Sequence, residues 1–173
     1  VHLARVRVGV TGKIKKRISA GISAGSIYQN LYSLVVSGSE GEVWSFGNGR
    51  LGHGSEDNEA VPRRIEALDR VVVIQVAAGS YHSMALSSDG DVFTWGVGEH
   101  GRLGHGNEEN QFVPMKVEGL SDVTDIAAGS AHSLAVVGEE GAVYAWGDNA
   151  WGQVGTGEPA YADGLLTDAG GRS

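Results

Sequence analysis

The apolar residues of this chain lie in short runs, and glycine closes them. Val71-Val72-Val73-Ile74-Gln75-Val76 is β-branched, ends just before Gly79, and reads as a strand. Residues 83–87 follow it, with Met84, Ala85 and Leu86 apolar in succession, the pattern of a strand covered on both faces. Ser88-Asp89-Gly90-Asp91 then supplies a tight turn, because glycine reaches positive φ without steric cost. Residues 92–95 form the returning strand, and Glu40-Gly41 and Glu140-Gly141 fill the same turn elsewhere. From Gly96 to Gly106 glycine recurs too often for a helix interior, where each costs about 1 kcal/mol relative to alanine. No helix is expected anywhere in 40–157.

The pattern repeats. Ala77-Ala78-Gly79-Ser80-Tyr81-His82-Ser83 returns as Ala127-Ala128-Gly129-Ser130-Ala131-His132-Ser133, an offset of 50 residues. Val92-Phe93-Thr94-Trp95-Gly96 returns as Val143-Tyr144-Ala145-Trp146-Gly147, and Val43-Trp44-Ser45-Phe46-Gly47 is an earlier copy. Arg50-Leu51-Gly52-His53-Gly54 returns as Arg102-Leu103-Gly104-His105-Gly106, and altered as Gln153-Val154-Gly155-Thr156-Gly157. Val61-Pro62 matches Val113-Pro114. Several anchors keep one order at one period near 51. A unit of short antiparallel strands cannot bury both faces of its own sheet, so it needs a neighbour on each side, and radial stacking into a propeller provides one. Trp95 and Trp146, with Phe46 in the first copy, are then the core between blades. Helical repeat arrays are excluded by the missing helical period.

Ala-Gly-Ser-x-His-Ser, a hairpin, Trp-Gly-x-x-x-x-Gly-x-Leu-Gly-x-Gly and Val-Pro together resemble the regulator-of-chromosome-condensation repeat. The resemblance covers about residues 41–157, with 76–120 as the best copy. It implies a propeller of about seven blades, each of about 50 residues. This chain encodes about three, so the expected fold is all-β, a partial propeller of three four-stranded antiparallel blades. The remaining blades of such a ring are expected from a longer chain or from several chains. Residues 1–21 are expected to be a disordered arm, 22–40 the degenerate start of the first blade, 41–88 and 90–138 two repeats, 141–157 a partial third, and 158–173 a disordered tail. The first copy lacks counterparts of Glu99-His100-Gly101, and Tyr32 stands where His82 and His132 stand later. The positions expected to be structural are Gly79, His82, Trp95, Gly96, Gly104, Gly106, Gly129, His132, Trp146 and Gly147.

Composition narrows the chemistry. The 173 residues include 28 glycines and no cysteine, which excludes disulfides, a thiol nucleophile and Cys-ligated metal. The net charge of −8 is uneven: residues 1–39 carry six bases and no acid, and the remainder holds all 21 acids. An acidic body does not suit a phosphate backbone, so nucleic-acid contact is expected only weakly, through the basic arm. No apolar run approaches the roughly 18 residues that span a bilayer, so no membrane partner is expected. With no secretory signal and no glycosylation sequon, the expected setting is intracellular, cytoplasmic or nuclear. Gly96-Val97-Gly98-Glu99-His100-Gly101 matches a dinucleotide-binding pattern, but no helix follows to bind the pyrophosphate, so it reads as a propeller loop. The histidines at two positions per repeat read as structural side chains bonded to loop carbonyls rather than metal ligands. Glu56, Asp57, Glu59, Glu108 and Glu109 read as solvated loop acids, since no nucleophile or base repeats beside them. No cofactor, metal or enzyme activity is expected.

The leading functional reading is a non-catalytic protein–protein interaction module. Members of the resembled family dock partner proteins, often as one domain of a ubiquitin ligase or a signalling scaffold. The expected contact residues are Ser80, Tyr81, Ser130 and Ala131, with the acidic loops. Tyr81 leads, because exposed aromatics anchor interfaces, with a blade-edge cap as its other reading. The resemblance also implies guanine-nucleotide exchange on a small GTPase. There the residues between Ala-Gly and His carry acids, and here they are Ser80-Tyr81 and Ser130-Ala131. Light-sensing members place Trp-Arg at those positions, and neither copy does. A truncated product without independent function is a third reading. Unpaired blade edges add self-association as a further mode.

Overall fold

The computed structural model describes Ala20–Ile22, Tyr32–Ser37, residues 40–156 and Ala162–Asp168. The basic residues of the expected arm lie outside the described residues. The described residues form three four-stranded antiparallel sheets. The first holds β1 (Ala20–Ile22), β2 (Tyr32–Ser37), β3 (Glu42–Gly47) and β4 (Glu59–Arg64). The second holds β5 (Val73–Ala78), β6 (His82–Ser87), β7 (Val92–Gly96) and β8 (Gln111–Lys116). The third holds β9 (Val123–Ala128), β10 (His132–Val137), β11 (Ala142–Gly147) and β12 (Ala162–Asp168). Each is a simple meander, and the registers coincide: Tyr32 pairs with Gly47, His82 with Gly96, and His132 with Gly147. The array is an all-β, three-bladed segment of a propeller.

The cores lie between sheets rather than within them. Leu34, Val43, Leu51, Ile65, Val76 and Trp95 form one cluster between the first and second sheets. Met84, Leu86, Val92, Val117, Ile126 and Trp146 form another between the second and third. All six residues of β6 are buried, as expected for a strand covered on both faces. Trp95 and Trp146 are fully buried. Covering one indole stabilises a sheet contact by roughly 4–6 kcal/mol before entropy is subtracted. Phe46 departs from expectation. It is only half-buried, because its register position faces away from the second sheet and no described sheet covers it.

The sequence repeat and the sheet are out of phase. Residues 41–88 supply β3 and β4 of one sheet and β5 and β6 of the next, so each repeat ties two blades together covalently. Val61-Pro62 and Val113-Pro114 fall in β4 and β8, the edge strands, where a proline's missing N–H costs no ladder bond. Two short 3-10 turns interrupt the loops, at Glu66–Leu68 and Glu99–Gly101, where no helical element was expected. The second consists of the three residues that the first copy lacks. Two strands reach into the segments expected to be disordered, the rest of which lies outside the described residues. Ala162–Asp168 pairs with β11, and Ala20–Ile22 pairs with β2. Leu165-Leu166-Thr167 supplies a short β-prone core to a strand without the Val-Pro signature, and the exposed edge of β11 supplies the partner. Among the described residues no helix is long and apolar enough to cross a membrane.

Candidate protein-interaction face

Antiparallel pairing brings particular loops to one end of the array. The β5–β6 turn (79–81) and β9–β10 turn (129–131) stand beside the ends of β7 and β11, because His82 pairs with Gly96 and His132 with Gly147. The loops after β3, β7 and β11 leave from this same end. Two residues hold the register tight. A Cβ on Gly96 (φ 113°) would lie 2.4 Å from the Tyr81 carbonyl oxygen, and one on Gly147 (φ 104°) 2.6 Å from that of Ala131. Only glycine allows those loops to leave the strand.

The sheets are joined by a repeated polar contact. The Tyr32 hydroxyl in the first sheet donates to the His82 carbonyl and accepts from Ser83 Oγ at 3.1 Å. One sheet further on, His82 Nε2 lies 2.9 Å from Ser133 Oγ, whose proton goes to the Arg102 carbonyl at 2.9 Å. The serine therefore accepts, His82 carries its proton on Nε2, and the ring is neutral. Burial, with the nearby Arg102 and His132 charges, pushes its pKa down to about 3. Burial raises the Tyr32 hydroxyl well above its ordinary value. Within sheets, His53 Nε2 meets Ser45 Oγ and His105 Nε2 meets Thr94 Oγ1, each at 2.9 Å. Those hydroxyls donate to the carbonyls of Leu51 and Leu103 at 2.8 and 2.7 Å. His53, His82 and His105 thus reach the loop carbonyls through a hydroxyl, not directly as expected. Among the described residues no three His, Asp or Glu side chains are grouped to hold a metal ion.

The aromatic contact between sheets is a socket. A Cβ on Gly52 would lie 3.0 Å from Trp95 Nε1, and one on Gly104 2.9 Å from Trp146 Nε1. The glycine of each Leu-Gly-x-Gly motif is thus the floor on which the next sheet's indole rests. Gly104→Ala combines that clash with a positive φ of 77°. It should cost about 2 kcal/mol or more, read as a lowered urea midpoint with an unchanged slope. Gly106, also at positive φ, has open space around the same atom, so its constraint is conformational only.

The expected contact residues are partly gathered at this end. Ser80 Oγ and Ser130 Oγ lie 2.9 Å apart, joining the second and third sheets, and Ser80 N–H donates to the Ser130 carbonyl at 3.3 Å. The Tyr81 and Ala131 carbonyls accept from Val97 and Asp148 N–H, both at 2.9 Å, and so latch the neighbouring loops. Tyr81 is half-buried beside Tyr32, Asn48 and Arg50, where it lines a small cleft with Ser80 and Val97. Glu99, Glu108 and Glu109 are exposed on the loop after β7.

One prominent residue was not among those expected. Trp151, in the loop after β11, is 91% exposed. The loop beneath it is braced: Asp148 Oδ1 accepts from Ala150 N–H at 2.9 Å and Gln153 Oε1 from Trp151 N–H at 2.8 Å. The buried Asn149 accepts from Val154 N–H and donates to Thr156 Oγ1, both at 3.0 Å. The signal in the sequence was a substitution within the repeat, since Trp151 occupies the position of His100.

Comparison with known proteins matches this geometry. The model of the regulator of chromosome condensation (RCC1) repeat matches residues 40–86 and 89–136, and a second RCC1 repeat model matches 73–102 and 123–153. The chain belongs to the RCC1 repeat family. The two matches of the first model each straddle two sheets, whereas those of the second each lie within one. The E3 ubiquitin-protein ligase HERC2 of Homo sapiens is 46% identical over 114 residues, 63% of this chain and 2% of that protein. The ultraviolet-B receptor UVR8 of Arabidopsis thaliana is 39% identical over 144 residues, 82% of this chain and 31% of that protein. Human WBSCR16 has a TM-score of 0.71 at 27% identity, covering 90% of this chain and 38% of that one. Yeast RCC1 (Prp20), solved bound to Kap60, has a TM-score of 0.66 at 29% identity, covering 82% and 34%. The chain thus spans less than two fifths of each of these RCC1-repeat relatives.

Proposed function

We propose that this RCC1-repeat segment is a non-catalytic protein-recognition module that binds partners through the loop end of its sheets. The observation that carries the reading is Trp151: an indole held 91% in solvent by a loop braced with side-chain hydrogen bonds. An exposed aromatic on a rigid support loses little entropy on binding and is the usual centre of an interface hot spot. Glu99, Glu108 and Glu109 on the loop after β7 and Asp148 on the loop after β11 put negative charge at the same end of the sheets, which favours a basic partner surface. Ser80, Tyr81, Ser130 and Ala131 then form the inner part of the same face. Prp20p of Saccharomyces cerevisiae, a solved relative with binding properties to Gsp1p and histones, supports protein partners for such a fold.

The test uses purified histones and a small GTPase of the Gsp1p type as probes, titrated with this chain and with Trp151→Ala. The variant should bind at least about 30-fold more weakly while unfolding at the same urea concentration. Equal affinity for wild type and variant would remove Trp151 from the interface, and no binding to either probe would remove the reading for these partner classes. Exchange activity on the GTPase is the second reading, favoured by the Gsp1p-binding relative. It requires faster nucleotide release in the presence of this chain, and an unchanged release rate eliminates it.

A further inference from the structure

The loop after β3 holds the chain's only Asn-Gly pair, Asn48-Gly49. Such a pair carries its own reactants. Glycine has no Cβ to shield its amide nitrogen, so the Gly49 nitrogen can attack the Asn48 carboxamide carbon. A bond forms between that nitrogen and Cγ, and the side-chain nitrogen of Asn48 leaves as ammonia. The succinimide that remains takes up water and opens at one carbonyl to aspartate or at the other to isoaspartate. Water is the sole co-reactant, and nothing is oxidised or reduced.

The loop supplies both what this reaction needs and what restrains it. Asn48 stands between two glycines at positive φ, Gly47 at 113° and Gly49 at 88°, a backbone able to turn the nitrogen toward the carboxamide. Asn48 is exposed. Its counterparts Val97 and Asp148 each lie beside a preceding sheet and remain partly exposed, so the position stays open to water inside the array. The restraint is Asn58. Its Oδ1 accepts from the Gly49 N–H at 3.0 Å, and the nitrogen cannot attack while that bond holds its proton and fixes its direction. The same clasp closes the next loop, where Asn110 Oδ1 accepts from Gly98 N–H at 3.0 Å. There it is part-buried, whereas at Gly49 it is exposed and opens more readily.

We propose that Asn48 is a deamidation site, restrained by the Asn58 clasp, through which the folded chain gains a negative charge on its loop end. The third sheet already carries that charge at the same position, as Asp148. At residue 48 it enters the cleft that Asn48 lines with Arg50 and Tyr81. Arg50 Nε is buried without a hydrogen-bond partner. The counterpart Arg102 Nε donates to the Glu99 carbonyl at 2.7 Å, in the turn that the first copy lacks. The new carboxylate therefore shares its cleft with a cation. None of this depends on what the loop end binds.

The test follows the charge. Folded chain kept at mildly alkaline pH should build up a more acidic form on isoelectric focusing. Peptide mass mapping should place aspartate and isoaspartate at residue 48 and leave Asn107, Asn110 and Asn149 intact. Asn48→Gln, whose longer side chain closes the ring far more slowly, should not build up that form. Asn58→Ala should lose Asn48 about 3- to 10-fold faster than wild type, the effect of one exposed hydrogen bond. In urea no clasp survives in either chain, and the two rates should be equal. Asn58→Asp keeps the acceptor and should stay near the wild-type rate. Circular dichroism checks that the variants are folded, and if Asn58→Ala is not, Asn58→Gln, which displaces the acceptor, takes its place. An Asn48 that stays intact in every folded chain overturns the site. Equal rates for folded wild type and the clasp variant overturn the restraint.

Discussion

Trp146→Ala should lower the unfolding free energy by about 3–5 kcal/mol, a large share of the 5–15 kcal/mol that holds a typical domain together. The ring has no exposed surface, and it packs on Gly104 and among Val117, Ile126 and Ala135 at the contact between the second and third sheets. Removing it leaves a cavity that rigid backbone on both sides cannot close. Stability in a repeat array is carried by neighbour contacts, so the loss should be local. Amide exchange should accelerate most in β9 to β12 and least in the first sheet. A urea titration of Trp151→Ala is the internal control, since that indole touches little and its removal should shift stability by no more than about 0.5 kcal/mol. Equal effects from the two tryptophans would contradict a core that lies between sheets.

Stability should fall as pH drops from about 6.5 toward 3, and His82 should account for a large part of the fall. In the folded chain burial pushes its pKa down to about 3, while an unfolded chain titrates near the ordinary value of about 6.5. Between those values the unfolded state binds a proton that the folded state refuses. The stabilisation is therefore complete above pH 6.5 and is lost as the pH falls to the folded value, at up to about 1.4 kcal/mol per pH unit. His53, His105 and His132 are also lowered by burial and act in the same direction, though each is less enclosed. His82→Gln keeps a donor for Ser133 and has nothing to titrate. Its melting temperature should be flatter than that of wild type across this window, and parallel curves would show that His82 does not titrate on unfolding.

The sheets themselves were legible because their signals are local. Val71 to Val76 is β-branched, Gly90 and Gly141 mark the hairpins, and Trp95 and Trp146 repeat in step, so strand order and the need for a neighbour followed from sequence spacing. The phase of the blades was not legible. Which strand completes a sheet depends on hydrogen bonds between distant segments, and the 51-residue period is the same wherever the repeat is cut. β12 was missed for a related reason. Its sequence lacks Val-Pro, and Leu165-Leu166-Thr167 alone is too short a signal to place a strand without the edge of β11 that it pairs with. Phe46 matches Trp95 in its repeat position, but burial requires a covering sheet, and repetition shows only the position. At the proposed interaction face, Ser80 and Ser130 come together because equal repeats place equal turns side by side. Trp151 was overlooked because its distinction is exposure, a property that depends on the Asn149 and Gln153 bracing around it.

The four indole N–H signals offer the most direct measurement. If each sheet is closed only by its neighbour, the indole protons of Trp95 and Trp146 exchange with solvent deuterium only when the sheets separate, slowly and at closely similar rates. That of Trp151 exchanges at once, at the rate of a free side chain. Fast exchange at Trp95 or Trp146 under folding conditions would mean that these rings are not the packing between blades.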